Sequence, residues 1–462
     1  MNNKPNIVYI LVDDMGIGDL SCFNPHSKIN TPCVDKMASE GMMFCDAHSS
    51  SAVCTPSRYS ILTGRYNFRS HLKNGVLGGY SPALIEQGRI TVASMLKEMN
   101  YATACIGKWH LGLDWAKHND SDEIDYSRPI ENGVNTHGFD YFFGIPASLD
   151  MAPYVYIEND RVTSLPDRET ESEGLQFWRK GPTAPDFKHA EVLPKLTCKA
   201  LDFIEKNKND SFFLYFPMPA PHLPVLPTCE FIGKSSAGSY GDFVLMCDDV
   251  VGKITKKLDE LGLSDNTIVI FASDNGFAPA AQPKELLKLG HNPSYVYRGY
   301  KADIYEGGHR IPLVVKWQGK VQSGIKSDEP ICLIDLFATI ADITGYKIPD
   351  NAAEDSVSNL PVWQGLHMDK PLREAIVHHS IDGSFSIRKG IWKLELCPGS
   401  GGWSYPKPGE EPSGSPEIQL YNLDTDIGEK DNVYDKYPDV VAELKGILSV
   451  YIENGRSVPV RS

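Results

Sequence analysis

The run Cys54-Thr55-Pro56-Ser57-Arg58-Tyr59-Ser60-Ile61-Leu62-Thr63-Gly64-Arg65 places a sulfur atom four residues ahead of an arginine. Thr55 suits a helix N-cap, Pro56 the first helical position, and Gly64 a helix end. Cys54 then stands at a helix N-terminus, where backbone N–H groups favour an anion, and Arg58 reaches back along the same face. Position 54 is therefore expected in an electropositive pocket. A plain capped turn with an incidental cysteine is the blander alternative.

A second set of residues offers only oxygen. Asp13, Asp14, Asp274 and Asn275 have no histidine or cysteine pair with zinc spacing beside them. Oxygen-only sites suit hard cations, calcium or magnesium. Carboxylates crowded together repel one another without a cation. A two-zinc centre is disfavoured.

These residues need elements to bring them together. Ile7–Val12, Ala102–Ile106, Phe212–Phe216, Thr267–Ala272 and Pro312–Val315 are short, uninterrupted apolar runs. Such runs suit strands buried on both faces, and so a mainly parallel sheet. Helical spacing appears between them, in Thr91–Glu98, Leu196–Lys206 and Tyr240–Leu261, with Gly262 as a stop. The pattern predicts an α/β fold with a large sheet sandwiched by helices. In such sheets ligands sit beyond the carboxyl ends of the strands. Four strand ends lead into reactive groups: Asp13-Asp14, Ser273-Asp274-Asn275-Gly276, Gly107-Lys108-Trp109-His110, and the proline-rich turn before His222. One acid at a strand end commonly caps a helix; four strand ends on one rim point to a shared site.

The rest of the chain frames that site. Its 462 residues exceed one ordinary core. Residues 1–369 are expected as the catalytic domain and 370–462 as a small α+β subdomain. In the latter, Ala375–His378, Phe385–Arg388, Trp392–Leu396 and Leu420–Leu423 read as short strands and Val440–Tyr451 as a helix. Pro398–Pro416 reads as an irregular loop. The formal charge of −15 disfavours nucleic acid as a partner. No apolar run is long enough to span a membrane. Ten scattered cysteines, without a CxxC pair, read as buried thiols apart from Cys54. Met1–Asn6 lacks the layout of a signal peptide.

Cys-x-Pro-x-Arg followed by Leu-Thr-Gly-Arg resembles the signature of the type I, formylglycine-dependent sulfatases of the alkaline phosphatase superfamily. Asp13-Asp14, Gly107-Lys108-Trp109-His110-Leu111-Gly112, Asp274-Asn275-Gly276, Lys301 and Glu306-Gly307-Gly308-His309-Arg310-Ile311-Pro312 look like further landmarks of that family, in its order. The C-terminal runs 385–395 and 419–422 look like its small subdomain.

The resemblance implies a formylglycine made from Cys54 by a maturation enzyme, and one calcium ion held by Asp13, Asp14, residue 54, Asp274 and Asn275. The aldehyde would hydrate to a diol whose oxygen attacks sulfur in line, and a second hydroxyl would allow sulfate to be expelled. By the same carry-over, Arg58 and Lys108 steady residue 54. His110 is the base that collapses the intermediate. His222 and Lys301 contact the bridging side of the ester, and one of them protonates the leaving group. Ser148 matches a minor position that orients His110 or the sulfate; a solvated loop serine is its alternative. His309 and Arg310 are expected to hold their own turn rather than touch substrate.

Leu113–His137, Asp150–His189, Phe277–Tyr297 and Ile381–Pro416 are candidate substrate walls, with Trp115, Trp178, His378, His379 and Trp403 among them. The expected substrate is a terminal sugar sulfate of galactose or N-acetylgalactosamine type, from a sulfated glycan. A phosphonate or phosphodiester hydrolase of the same superfamily is the nearest alternative. A catalytically idle binding protein and an unmodified thiol nucleophile are further ones. Glycan sulfatases are usually exported, so a periplasmic or secreted protein whose signal peptide is absent from this sequence is expected, with the cytoplasm as the alternative.

Overall fold

The computed structural model describes residues 4–118, 121–366 and 368–461. Of the N-terminal run Met1–Asn6, the first three residues lie outside it. The apolar runs do form strands. A ten-stranded sheet runs in the order Ile325–Ser327, Met42–Phe44, Leu313–Lys316, Thr267–Ser273, Asn6–Asp13, Phe212–Pro221, Ala102–Lys108, Tyr141–Ile145, Ile157–Glu158, Arg161–Val162. The five central strands, from Thr267–Ser273 to Tyr141–Ile145, are parallel. Every residue of Asn6–Asp13, Phe212–Pro221 and Thr267–Ser273 is buried, which is why their sequences do not alternate.

The sheet as a whole is mixed. Leu313–Lys316 runs antiparallel to Thr267–Ser273 and to Met42–Phe44, and Tyr141–Ile145 continues into antiparallel edge strands. Leu313–Lys316 follows a tight helical turn at Glu306–His309 that sends the chain back from the rim, so no crossover is needed to lay it beside its neighbour. An apolar run two-face buried in a mixed sheet looks the same as one in a parallel sheet.

Two groups of helices cover the sheet. Pro32–Ser39 and Val192–Lys206 both pack on Gly238–Glu260 and on the strands, while Cys54–Thr63, Val92–Glu98 and Leu336–Thr344 pack on one another, with Val92–Glu98 against Ala102–Lys108. Thr91 caps its helix, its Oγ1 accepting from the Ser94 N–H at 3.1 Å. Gly262 takes the left-handed φ of +67° just past the C-cap Leu261.

Ile376–His379, Phe385–Lys389, Trp392–Glu395 and Gln419–Asn422 form a separate antiparallel sheet. Helix Pro438–Glu453 packs on it through Leu444, Leu448 and Tyr451. Tyr66, Phe68, Cys332 and Ile334 of the preceding chain complete that small core. Ion pairs bind the two sheets: Asp46 accepts from Arg388 Nη1 and Nη2, both at 2.6 Å, and Lys393 Nζ lies 3.2 Å from Glu306. Among the described residues no helix is long and apolar enough to cross a membrane.

Candidate active site

The parallel pairing of Asn6–Asp13 with Thr267–Ser273 sets Val12 beside Ser273, and the Asp274 N–H donates to Val12 O at 3.1 Å. The two acidic strand ends therefore meet. Asp14 turns off its strand at φ +67°, a conformation that Asp tolerates better than most residues. Its N–H then donates to Asp274 Oδ1 at 3.2 Å. Gly107 brings the third strand end in: a Cβ there would stand 2.0 Å from Pro217 O.

Cys54 starts the helix Cys54–Thr63, with Val53 as its N-cap; Thr55 and Pro56 are thus the second and third helical residues, not cap and first position. The hydroxyl of Thr55 is used elsewhere, accepting from the Leu77 N–H at 3.2 Å. Pro56 still costs the helix nothing, because the first-turn N–H groups have no helical partner. Gly64 ends the helix at φ +65°, as expected.

Around residue 54 the charges interlock. Arg58 donates to Asp274 Oδ2 from Nε at 3.0 Å and Nη2 at 2.7 Å, and from Nη1 to Lys108 O at 3.0 Å. Lys108 Nζ donates to Asp13 Oδ2 at 2.7 Å and Lys301 Nζ to Asp14 Oδ2 at 2.8 Å. Asn275 Nδ2 donates to Asp14 Oδ1 at 2.7 Å. His222 Nε2 is 3.5 Å from Asp14 Oδ2. All of these side chains are buried except His222, which is 12% exposed.

Burial disfavours ionised Asp13, but Lys108, His222, Arg58 and Lys301 outweigh it and hold the carboxyl well below its usual range. Asp274 goes the other way. Burial raises it, the charge of Asp13 adds to that against the pull of Arg58, and its carboxyl is pushed up to about 6. Burial also raises the Cys54 thiol, despite Lys108 and Lys301.

Two oxygens in this cluster lack a hydrogen bond among the described residues although they are buried: Asp13 Oδ1 and Asn275 Oδ1. Asp13 Oδ1 has only the Arg58 guanidinium, at 3.4 Å. Ligand atoms of Asp13, Cys54 and Asp274 lie within 4.8 Å of one another. Unspent buried acceptors, all oxygen apart from residue 54, beside a carboxyl pushed up by burial and by the charge of Asp13, fit a divalent hard cation.

His110 stands at φ +58° on the same rim. Its Nε2 is 2.7 Å from Leu77 O, and its Nδ1 is buried without a partner among the described residues. Burial, then Lys108 and Arg58, lower its pKa well below the ordinary histidine value. The His110 N–H donates to Pro146 O at 3.0 Å, which fastens it to the segment bearing Ser148. Ser148 is 1% exposed and its Oγ has no partner among the described residues, so it is no solvated loop serine.

The sequence-derived candidates Asp13, Asp14, Cys54, Arg58, Lys108, His110, His222, Lys301, Asp274 and Asn275 thus share one rim, with Ser148 on the segment behind His110. His309 and Arg310 lie away from it: Arg310 Nη1 donates to Glu306 Oε2 at 2.9 Å, and the His309 ring stacks on His378 at 3.8 Å. Several expected substrate walls are scaffold instead. His378 and His379 are buried, Trp115 Nε1 donates to Gly79 O at 2.9 Å, and Trp178 stacks on His189 at 3.9 Å. Trp403 is exposed, on a loop pinned by its N–H to Asp303 Oδ1 at 2.8 Å. Leu77 was not foreseen, and Asp150 was expected only as the first residue of a candidate substrate wall. Leu77 acts through its backbone, which leaves no side-chain signal; Asp150, 4.0 Å from His222 Nδ1, had a signal only as an acid two residues past Ser148.

Known proteins resemble this chain in sequence and in fold. The sequence profile of the family described as Sulfatase matches residues 5–346. An N-acetylgalactosamine-6-O-sulfatase of Bacteroides thetaiotaomicron is 36% identical over 97% of this chain and 93% of its own. The N-acetylgalactosamine-6-sulfatase of Mus musculus is 34% identical over 86% of this chain and 73% of its own. A solved structure from work on glycosaminoglycan metabolism by Bacteroides thetaiotaomicron superimposes with a TM-score of 0.85 at 35% identity, covering 97% of this chain and 99% of that one. The phosphonate monoester hydrolase of Agrobacterium radiobacter, at 17% identity and a TM-score of 0.63, shares the fold. Profile, relatives and fold converge: the chain belongs to the sulfatase family of sulfuric ester hydrolases.

Proposed function

We propose that the protein removes the 6-O-sulfate from a terminal N-acetylgalactosamine or galactose of a sulfated glycan, acting from the chain end. The observation that carries this reading is the ring of Asp13, Asp14, Asp274 and Asn275 closed by buried Lys108 and Lys301 around residue 54. The sugar and its position rest on the relatives, which are named for the 6-sulfate of N-acetylgalactosamine.

In this reading the four oxygen-bearing side chains and residue 54 hold one calcium ion, and a maturation enzyme converts Cys54 to formylglycine. Bound calcium would draw charge from the sulfate, and the formylglycine would supply an oxygen nucleophile. The remaining work falls to the chain itself. Arg58 is fixed at both ends of its guanidinium, so its charge stays beside residue 54 without reorganisation. Lys108 and Lys301 bring ammonium groups to the sulfate oxygens. Burial would lower the pKa of Lys301, but Asp14 reverses this and holds it above the ordinary lysine value, which keeps it charged.

His110 presents an unprotonated Nδ1 and takes a proton from residue 54. Ser148, with its buried Oγ unspent among the described residues, orients His110 or the sulfate. We assign the leaving-group proton to His222 rather than Lys301. As the acid the ring must be doubly protonated: its Nδ1–H is committed to Leu223 O at 2.6 Å and its Nε2–H, 3.5 Å from Asp14 Oδ2, is the proton to be given up, whereas Lys301 is locked to Asp14. A polymeric substrate implies export, to the periplasm or beyond. The chain division at 369/370 belongs to the same reading.

Mass spectrometry of residue 54, followed by sulfate release from 6-O- and 4-O-sulfated N-acetylgalactosamine, 6-O-sulfated galactose, an aryl sulfate and a phosphonate monoester, tests the proposal. The 6-O-sulfated sugars should be hydrolysed fastest. A converted residue 54 with phosphonate turnover and no sulfate release would overturn it.

A further inference from the structure

Lys301 is carried by a tight turn over residues 300–303. The Asp303 N–H donates to Tyr300 O at 3.0 Å, and the third residue of the turn, Ala302, stands at φ +81°. A positive φ at the third position alone marks a type II turn, where glycine is the usual occupant. An alanine there is strained, and the turn persists only because its surroundings over-determine it. They do so from several sides. The Ala302 N–H donates to Ala52 O at 2.8 Å, two residues ahead of residue 54, and Ala302 O accepts from the Ile381 N–H at 3.0 Å. The Lys301 N–H donates to Phe277 O at 2.9 Å, two residues past Asn275.

The buried carboxylate of Asp303 ties this turn to the small sheet. Its Oδ2 accepts from the Tyr300 N–H at 2.8 Å, which closes the turn a second time. Its other donors come from residues 400–404, in the loop between Trp392–Glu395 and Gln419–Asn422. The N–H groups of Trp403 and Ser404 donate to Oδ1 at 2.8 and 2.9 Å, and the Ser404 hydroxyl donates to Oδ2. Beside them the Ile304 N–H donates to Ser400 O at 2.7 Å. Gly402 shows how close the contact is: a Cβ there would stand 2.5 Å from Ala302 C. The far end of Lys301 faces the reaction centre, with Nζ donating to Asp14 Oδ2 at 2.8 Å. A lysine stem is long and flexible, so the place of its ammonium depends on where its backbone is fixed.

We propose that Asp303 is a positioning residue for sulfate-ester hydrolysis: by tying the turn under Lys301 to the 400–404 loop of the small sheet, it holds the Lys301 ammonium at the sulfate. Asp303 itself touches neither substrate nor cation and acts only through Lys301. The inference rests on the reading of Lys301 as a sulfate contact and adds the device that keeps it in place.

The test is a double-mutant cycle of Asp303→Asn and Lys301→Ala, read on kcat/KM for an aryl sulfate and on calorimetric binding of inorganic sulfate to the calcium-loaded protein. Whichever way its amide is set, an asparagine turns an NH2 group towards donors on one side of the clamp. In the wild-type background Asp303→Asn should lower kcat/KM by about tenfold to 10²-fold and weaken sulfate binding with it. In the Lys301→Ala background it should change either by less than about twofold. The melting temperature should drop equally in both backgrounds, which separates loss of stability from loss of place. Ser404→Ala removes one donor and keeps the carboxylate; it should show the same pattern on a smaller scale, and it carries the test if Asp303→Asn does not fold. Sulfate binding needs no chemistry at residue 54. A protein that releases no sulfate from any ester, yet shows the coupling in binding, would sink the activity reading and leave this one standing. Losses of equal size in both backgrounds, no loss in the wild-type background, or a wild type that neither turns over nor binds sulfate would overturn the proposal.

Discussion

The carbonyl oxygen of Leu77 lies 2.7 Å from Nε2 of His110. A carbonyl can only accept, so Nε2 carries the hydrogen and the buried Nδ1 a lone pair. The backbone of a loop residue thereby sets which nitrogen of the ring can take a proton. Replacing His110 by alanine should lower kcat by about 10²–10⁴. Because burial and the cations Lys108 and Arg58 lower its pKa, the neutral base persists as the pH falls through the ordinary histidine range near 6.5. The acid limb of kcat against pH should therefore lie below that value. A limb at or above it that disappears in His110→Ala would contradict the assignment.

Cys54 as a thiol would be a poor nucleophile here, since burial raises its pKa. Active protein should tolerate thiol-alkylating reagents, and Cys54→Ser should lose about 10³ or more in kcat. Inactivation by alkylation in step with loss of a free thiol at residue 54 would restore the thiol mechanism.

Asp13, Asp14 and Asp274 crowd together, and Asp13 Oδ1 and Asn275 Oδ1 remain unspent. Chelation should abolish turnover and lower the melting temperature. Calcium should restore both better than magnesium, which demands a smaller, stricter octahedron. At one hundred times its Kd, calcium should add about 2.7 kcal/mol of stability. A chelated sample with unchanged rate and melting point would remove the cation from the mechanism.

The assignment of the leaving-group proton to His222 has a substrate signature. His222→Ala should slow a sugar sulfate by about 10²–10⁴ and an aryl sulfate, whose leaving group needs little protonation, by less than about tenfold. Equal losses on both substrates would move the acid role to Lys301.

Asp46 joins the two sheets, accepting from Arg388 at 2.6 Å twice and facing Arg310 at 3.1 Å. Burial disfavours its charge, but Arg310, His48 and Arg388 outweigh that and depress its pKa. A depressed carboxyl stabilises the fold above its unfolded pKa near 3.9, and this contribution is lost as the pH falls through the folded value. Asp46→Asn leaves the buried Arg388 guanidinium without its anion, while Arg310 keeps Glu306, and should cost about 3–5 kcal/mol at neutral pH. The difference from wild type in denaturant melts should narrow below about pH 4. A difference that stays constant down to pH 2 would show that Asp46 acts by packing alone.

The central sheet was readable because a strand buried on both faces must be apolar throughout, as Ile7–Val12 and Thr267–Ala272 are. The rim followed, since polar residues break such runs only where the strands end. Strand direction was less readable: nothing in Leu313–Lys316 tells which way it runs, because the turn at Glu306–His309 decides that. The start of the Cys54 helix moved because the Thr55 hydroxyl found a distant partner in Leu77. His378 suggested a substrate contact by residue type; its stacking on His309 joins residues 69 positions apart, which no local pattern encodes.

All ten residues of the helix Cys54–Thr63 are buried, and Cys54 is 2% exposed. Once this helix has docked, no second protein can grip the segment. The oxidation proposed for residue 54 therefore has to take place on an open chain, in competition with folding. The yield of active molecules is then set by a race between two rates, not by affinity for the finished structure. Substitutions that hasten docking of this helix should raise stability and lower the fraction of molecules that ever work.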